Sequence, residues 1–149
     1  MVCLENRYGY NCLTADLTPT DKPARIEITL QYEKDSREFG VFLPIADDEG
    51  QGYCLRIIPD EHKALFTCHP YNNWSIDQIN MKGLERPITL APEEPVKIVL
   101  LLDKTTGVFY INDKVALSAR MYRKRKESIG IYTIHGAVKA GCFTKYSIK

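Results

Sequence analysis

The densest group of chemistry-bearing residues in this 149-residue chain is Tyr71, Asn72, Asn73 and Trp74. Aromatic rings stack on sugar faces and amides bond hydroxyls, so the set suits a carbohydrate. A second reading has Trp74, the only tryptophan, closing the end of a hydrophobic core, with its indole N–H bonded to a backbone carbonyl. The sequence favours that second reading. Asn73-Trp74-Ser75 is a formal glycosylation sequon, read as chance because no secretion signal precedes it. His62, Cys68 and His69 are the candidate metal ligands. Their spacing matches no paired zinc pattern and no second ligand pair follows, so neither metal nor cofactor is expected. Nucleophilic chemistry has no foothold, for there is no Gly-x-Ser-x-Gly elbow, no phosphate-binding glycine loop and no His-Glu-x-x-His. Glu85 beside Arg86 reads as an ion pair that pins a long loop to a sheet. Arg120, Arg123, Lys124, Arg125 and Lys126 form a basic cluster within a predicted turn, without an aromatic platform beside it. It reads as solvated, and no nucleic acid is expected.

The elements that must position these residues are strands. From Arg25 to Tyr32 the chain alternates, with Ile26, Ile28, Leu30 and Tyr32 on one face and Arg25, Glu27, Thr29 and Gln31 on the other. That is the period-two signature of a strand with one wet face. Phe39, Val41 and Leu43 share a face after a polar turn, and Tyr53, Leu55 and Ile57 alternate after the turn Asp47-Asp48-Glu49-Gly50. A short run, KALFTC, follows, and further strands are predicted over 96–103, 107–112, 115–121, 128–134 and 137–148. His135-Gly136 reads as a hairpin turn between the last two, with His135 exposed. Short strands at near-regular spacing with Gly, Pro and Asp turns predict an all-β domain, two antiparallel sheets packed face to face. One segment, from His69 to about Leu90, breaks the rhythm, and loops of that length are usually functional or cover an interface.

Composition bounds the rest. With 20 basic and 19 acidic residues the net charge is +1, which offers no electrostatic attraction to nucleic acid or membrane. No apolar run approaches the roughly 20 residues that cross a bilayer. Five cysteines, an odd and scattered set mostly within apolar runs, argue against a disulfide framework and fit a reducing, cytoplasmic compartment. The whole chain, 1–149, is expected to be one domain.

From Val96 to Tyr122 the chain reads VKIVLLLDKTTGVFYINDKVALSARMY. This stretch resembles the C-terminal β-sandwich of glycoside hydrolase family 32, the invertases, levanases and other β-fructosidases. Leu84-Glu85-Arg86-Pro87 is similar to the Val/Leu-Glu-Arg-Pro of bacterial members. Phe39-Gly40-Val41-Phe42-Leu43, Gly52-Tyr53-Cys54-Leu55 and the tail from Ser128 to Gly136 resemble further family strands. The likeness covers about residues 24 to 149 and implies a concanavalin A-like jelly roll. At Gly107 many members carry a glutamate, so any role of that acid is in doubt here.

The family's retaining mechanism needs two carboxyl groups about 5 Å apart. Its Trp-Met-Asn-Asp-Pro, Glu-Cys and Arg-Asp-Pro motifs are absent. Glu85 and Asp103 are the carboxylates to weigh as a pair, and nothing in the sequence makes them converge. The resemblance therefore implies a non-catalytic half, which packs on and stabilises the catalytic β-propeller of a parent hydrolase acting on β-fructosides. The alternative it implies is a module similar to levan-binding modules, gripping fructose-containing saccharides. Glu85, Arg86 and Asp103 would then surround the fructose hydroxyls, with Tyr71 and Trp74 as platforms. The first reading is the one the sequence favours. A laminin G-type lectin is a third.

Overall fold

The computed structural model describes residues 2–16, 23–46, 51–69 and 84–147. Tyr71, Trp74 and the sequon lie outside them. Ten strands run through the described residues: β1 (Val2–Asp16), β2 (Ala24–Tyr32), β3 (Glu38–Pro44), β4 (Gly52–Ile58), β5 (Lys63–His69), β6 (Glu85–Pro87), β7 (Val96–Asp103), β8 (Thr106–Ile111), β9 (Val115–Arg120) and β10 (Ser128–Ser147). Among the described residues all paired neighbours are antiparallel, and the one helical element is a single 3-10 turn, Pro59–Glu61.

The expected sandwich is present, built from a single hydrogen-bonded ribbon folded double. Strand β10 pairs along one edge with β1, and along the other with β3 through Gly130–Ile134 and with β2 through Val138–Ser147. The first half of β10 thus belongs to one layer, β10-β3-β4-β5-β6. Its second half belongs to the other, β10-β2-β7-β8-β9. His135-Gly136 is therefore no hairpin turn. It is the corner inside one continuous strand, with His135 half-buried and at φ 51°. Gly136, at φ 152°, occupies a region that side chains avoid. Strand β1 shifts register between Asn6 and Tyr10, opposite this corner, and residues 33–37, on its other side, are the connection from β2 to β3. A register shift in one partner and a chain break between the two others let the long strand change layer at this level.

The alternation read from the sequence decides what faces inward. Ile26, Ile28, Leu30 and Tyr32 are buried, as are Phe39, Val41 and Leu43, and Tyr53, Leu55 and Ile57. Phe66 of β5 stacks on Phe109 of β8 at 4.8 Å between centroids, joining the layers, and Tyr53 lies parallel to Phe66 at 5.9 Å. The β8–β9 connection is the three-residue turn Asn112-Asp113-Lys114, closed by the Lys114 N–H donating to the Ile111 carbonyl at 3.1 Å, with Asn112 at φ 52° and Asp113 at φ 55° in the left-handed region. Asn112 Oδ1 accepts a bond from Lys97 N–H at 2.8 Å. Cys54 and Cys68 are free and buried. Gly107 is also buried. A side chain added there would meet Met121 and the Phe109 ring at 2.8 Å, so a glutamate at 107 would be directed into the core rather than toward a ligand.

Candidate functional site

The outer face of the β3-β4-β5-β6 layer can be laid out row by row from the strand register, since directly paired residues project to the same side. One row runs Ile134, Glu38, Ile58, Lys63, with Glu38 the first residue of β3 and Ile58 the last of β4. The next runs Tyr132, Gly40, Arg56, Leu65, Glu85. Beyond it lies Phe42, Cys54, Thr67. The face is thus apolar toward one end and charged toward the other.

Glycines shape the apolar end. Gly52 leaves room for the Phe42 ring, which an added Cβ would meet at 2.6 Å, and Gly40 lies against Tyr132 in the same way. Phe42, Cys54 and Tyr132 form a small buried cluster. Buried as they are, the two rings cannot act as stacking platforms in this conformation.

The charged end carries a cleft of about 490 Å³. Ile58 and Leu65 supply apolar lining, with charged groups on either side. On the β3 side Arg56 grips Glu38: its Nη2 donates to Oε1 at 2.7 Å, and its Nε lies 3.2 Å from both carboxylate oxygens. The Tyr132 hydroxyl donates to Glu38 Oε2 at 2.9 Å. Burial above all, and then the Glu38 charge, hold the Tyr132 pKa well above the usual phenol value, so this hydroxyl keeps its proton. On the β6 side the Lys63 ammonium lies 3.2 Å from Glu61 and 3.8 Å from Glu85. Arg37 stands at the corner, its backbone N–H placed by the carbonyls of Ile134 and His135, both at 3.2 Å. Charge-paired carboxylates and cations beside an apolar surface can accept and donate to hydroxyls while a ring's C–H face packs below.

The sequence-derived candidates divide. Glu85 is in the cleft. Arg86 is not, since it pairs with core-facing Ala64 and so projects to the opposite side of β6. The expected Glu85–Arg86 ion pair is absent for the same reason. Arg86 Nη1 donates to the Glu85 backbone carbonyl at 2.7 Å, and the Glu85 carboxylate faces Lys63. Asp103 is exposed at the β7–β8 turn of the other layer and does not join Glu85. Glu38, Arg56 and Lys63 were missed. Their signal was present: Arg56 is the only charge inside the apolar run GYCLRII, and Glu38 opens FGVFL. Among the described residues no group of three or more His, Cys, Asp or Glu side chains could hold a metal ion.

The expected solvated basic turn also needs correction. Arg123 Nη1 donates to Gln51 Oε1 at 2.9 Å, and its backbone N–H donates to the Tyr53 hydroxyl at 3.0 Å. Arg125 is half-buried, and desolvation lowers its pKa from the ordinary guanidinium value, against the opposing pull of Glu127. The segment is a strap tied to the sandwich end.

No family model matches the chain, and no curated protein sequence matches it. Solved structures do. The carbohydrate-binding module CBM66 from Bacillus subtilis superposes with a TM-score of 0.66 at 10% identity, over 95% of this chain and 84% of that one. CG-16, a homodimeric agglutinin from chicken liver, gives 0.64 at 10% identity, over 91% and 100%. A toad ovary galectin, in complex with thio-digalactose, gives 0.56 at 14% identity, over 93% and 98%. At such identities the likeness shows a shared β-sandwich fold of the kind found in carbohydrate-binding modules and galectins.

Proposed function

We propose that the domain is a non-catalytic carbohydrate-binding module whose site is the cleft on the outer face of β3-β4-β5-β6. A sugar ring lies with its C–H face on the partly exposed Ile58. Its hydroxyls bond the Glu38 and Arg56 pair on one side and Lys63 with Glu85 on the other. The single observation that carries this reading is the Arg56–Glu38–Tyr132 network at the cleft. A guanidinium fork held by a carboxylate, itself held by a phenol, is a pre-organised polar surface that need not be ordered on binding. Likeness in fold to a carbohydrate-binding module, an agglutinin and a galectin supports it further.

The ligand class to try first is fructose-containing saccharide, on the resemblance of residues 24 to 149 to the sandwich of β-fructosidases. The companion reading, a sandwich that packs on a catalytic β-propeller, has the sequence resemblance alone behind it, and the cleft favours binding.

Calorimetric titration with fructose, levan, inulin and a β-galactoside tests the proposal. A saturable signal is expected for one of them. It is lost in Arg56→Ala and Glu85→Gln and kept in Arg86→Ala, whose side chain lies on the far side of β6. Flat traces with all four on folded protein would return the domain to a packing role.

A further inference from the structure

The outer face of the second layer, β10-β2-β7-β8-β9, differs in kind from that of the first. Strand β2 alternates, but β7 carries an unbroken apolar run over residues 98–102 and β8 another over 108–111. Continuous apolar runs mark strands covered on both faces, whereas a strand with one wet face alternates. Ile98, Leu100, Phe109 and Ile111 lie in the core. The residues between them project outward: Val99 is buried, and Leu101, Val108 and Tyr110 are partly exposed. Direct pairing sets Val99 beside Tyr110 and Leu101 beside Val108, so the four form one apolar quartet.

The quartet has unlike flanks. One row across the strands reads Ser118, Val108, Leu101, Arg25, and the next reads Ala116, Tyr110, Val99, Glu27. On the β2 side stand two long side chains, Arg25 and Glu27, ion-paired with each other. On the β9 side lie two small ones, Ala116 and Ser118, both exposed. A third row holds Thr29 and Lys97, with Asn112 beside Lys97 just past the end of β8. Asp113 lies 3.5 Å from the Lys97 ammonium. Every side chain of β2, β7, β8 and β9 is among those described.

We propose that this face is the interface of a homodimer, with a second copy of the chain as its occupant. The axis is a twofold parallel to the strands, midway between β7 and β8. Such an axis lays β7 of one copy over β8 of its partner and β2 over β9, with each row kept over itself. Leu101 then packs on the partner's Val108, and Tyr110 on the partner's Val99. The Arg25–Glu27 ridge settles over the Ser118–Ala116 shelf, and Lys97 faces the partner's Asn112-Asp113 turn. Long side chains meet small ones and a cation meets an anion, each twice by symmetry. Two sheets stacked in this way pack as the layers of a sandwich do. Strand spacing and rise give a footprint of about 20 Å by 20 Å, hence about 400 Å² per copy. A standard interface buries about 800 Å² per partner, so this dimer is a weak one, with a dissociation constant in the micromolar range. On the reading of the cleft as a saccharide site, the dimer carries two such sites on opposite outer faces and bridges two saccharide chains.

Sedimentation velocity over about 1 to 1000 μM protein tests the interface. The expected result is a monomer–dimer equilibrium. Leu101→Lys and Val108→Glu should each weaken it about tenfold or more, by burying a charge against an apolar residue. Mixed together, the two variants should associate about tenfold more tightly than either alone. In that mixed dimer the introduced ammonium faces the introduced carboxylate, while the other Leu101–Val108 contact is native. Ser118→Arg, at an exposed position, should also weaken the dimer about tenfold, by filling the shelf and opposing the partner's Arg25. The substituted side chains all project outward, so the fold is retained, as circular dichroism and thermal midpoints would verify. None of them touches the cleft, so a saccharide titration and this test fail separately. A monomer at every concentration overturns the proposal. So does a dimer indifferent to all three substitutions, or one that mixing the two charged variants fails to restore.

Discussion

The Ser36 hydroxyl clasps Ala137 from both sides: Oγ donates to the Ala137 carbonyl at 2.8 Å and accepts from the Ala137 N–H at 3.1 Å. Ser36 is buried, and the clasp sits where β10 passes from one layer to the other. At the corner a side chain takes the place of a strand partner for the Ala137 N–H, and the carbonyl also accepts from the Glu33 N–H at 3.1 Å.

Ser36→Ala therefore leaves the buried Ala137 N–H without that partner, while the carbonyl keeps the Glu33 N–H. It should cost about 1–3 kcal/mol in urea-induced unfolding. Gly136→Ala should cost about 3 kcal/mol, because a Cβ there would lie 2.4 Å from Ser36 Oγ in a backbone region hostile to side chains. A denaturation midpoint unchanged in both variants would show that the corner is not stabilising.

Strand β3 approaches β4 closely at Gly40, where an added Cβ would stand 1.9 Å from the Leu55 carbonyl oxygen. Backbone cannot swing away as a side-chain end does. Gly40→Ala should destabilise by about 3 kcal/mol, read as a thermal midpoint lowered by several degrees, and should weaken ligand binding by displacing Arg56.

Phe66 and Phe109 join the two layers through a stacked pair in the core. Phe109→Ala should cost about 3–5 kcal/mol, and Phe109→Leu distinctly less, since it leaves a smaller cavity. Equal costs for the two variants would mean that the site collapses around either.

Tyr132 sets an alkaline limit. Its folded-state pKa is raised well above 10.0, so between that value and the folded one the unfolded chain loses a proton that the native state keeps. The native state then binds more protons, and stability falls as pH rises, by up to about 1.4 kcal/mol per pH unit for this group. The contribution is fully present below pH 10. Tyr32, raised by burial and by Asp60 and Glu94, acts in the same direction. Tyr132→Phe should flatten the fall in stability above about pH 10 in denaturant titrations. An unchanged slope would remove Tyr132 from the account.

Much of this fold is written in local pattern. Period-two alternation in β2, β3 and β4, and the turn residues Asn112 and Asp113, depend only on neighbours in the chain, and strands with their inward faces follow from them. Free Cys54 and Cys68 within apolar runs were legible for the same reason. The Gly107 departure was also visible, although its inward direction was not.

What the sequence left open was everything set by register between distant strands. Glu38, Arg56 and Glu85 meet because β3 pairs with β4, β4 with β5 and β5 with β6, each in one specific alignment. A slip of one residue would turn Arg56 inward and Arg86 outward. Asp103, as plausible a partner for Glu85 in the linear chain, was carried to the other layer by β7. The corner at His135-Gly136 has the composition of a hairpin. Only the pairing of β10 with β1 on one side, and with β3 and then β2 on the other, makes it a crease in one long strand. Residue types and spacing determined a β-sandwich and the inward faces of its alternating strands. Long-range pairing, which no local signal encodes, decided which charges share a cleft.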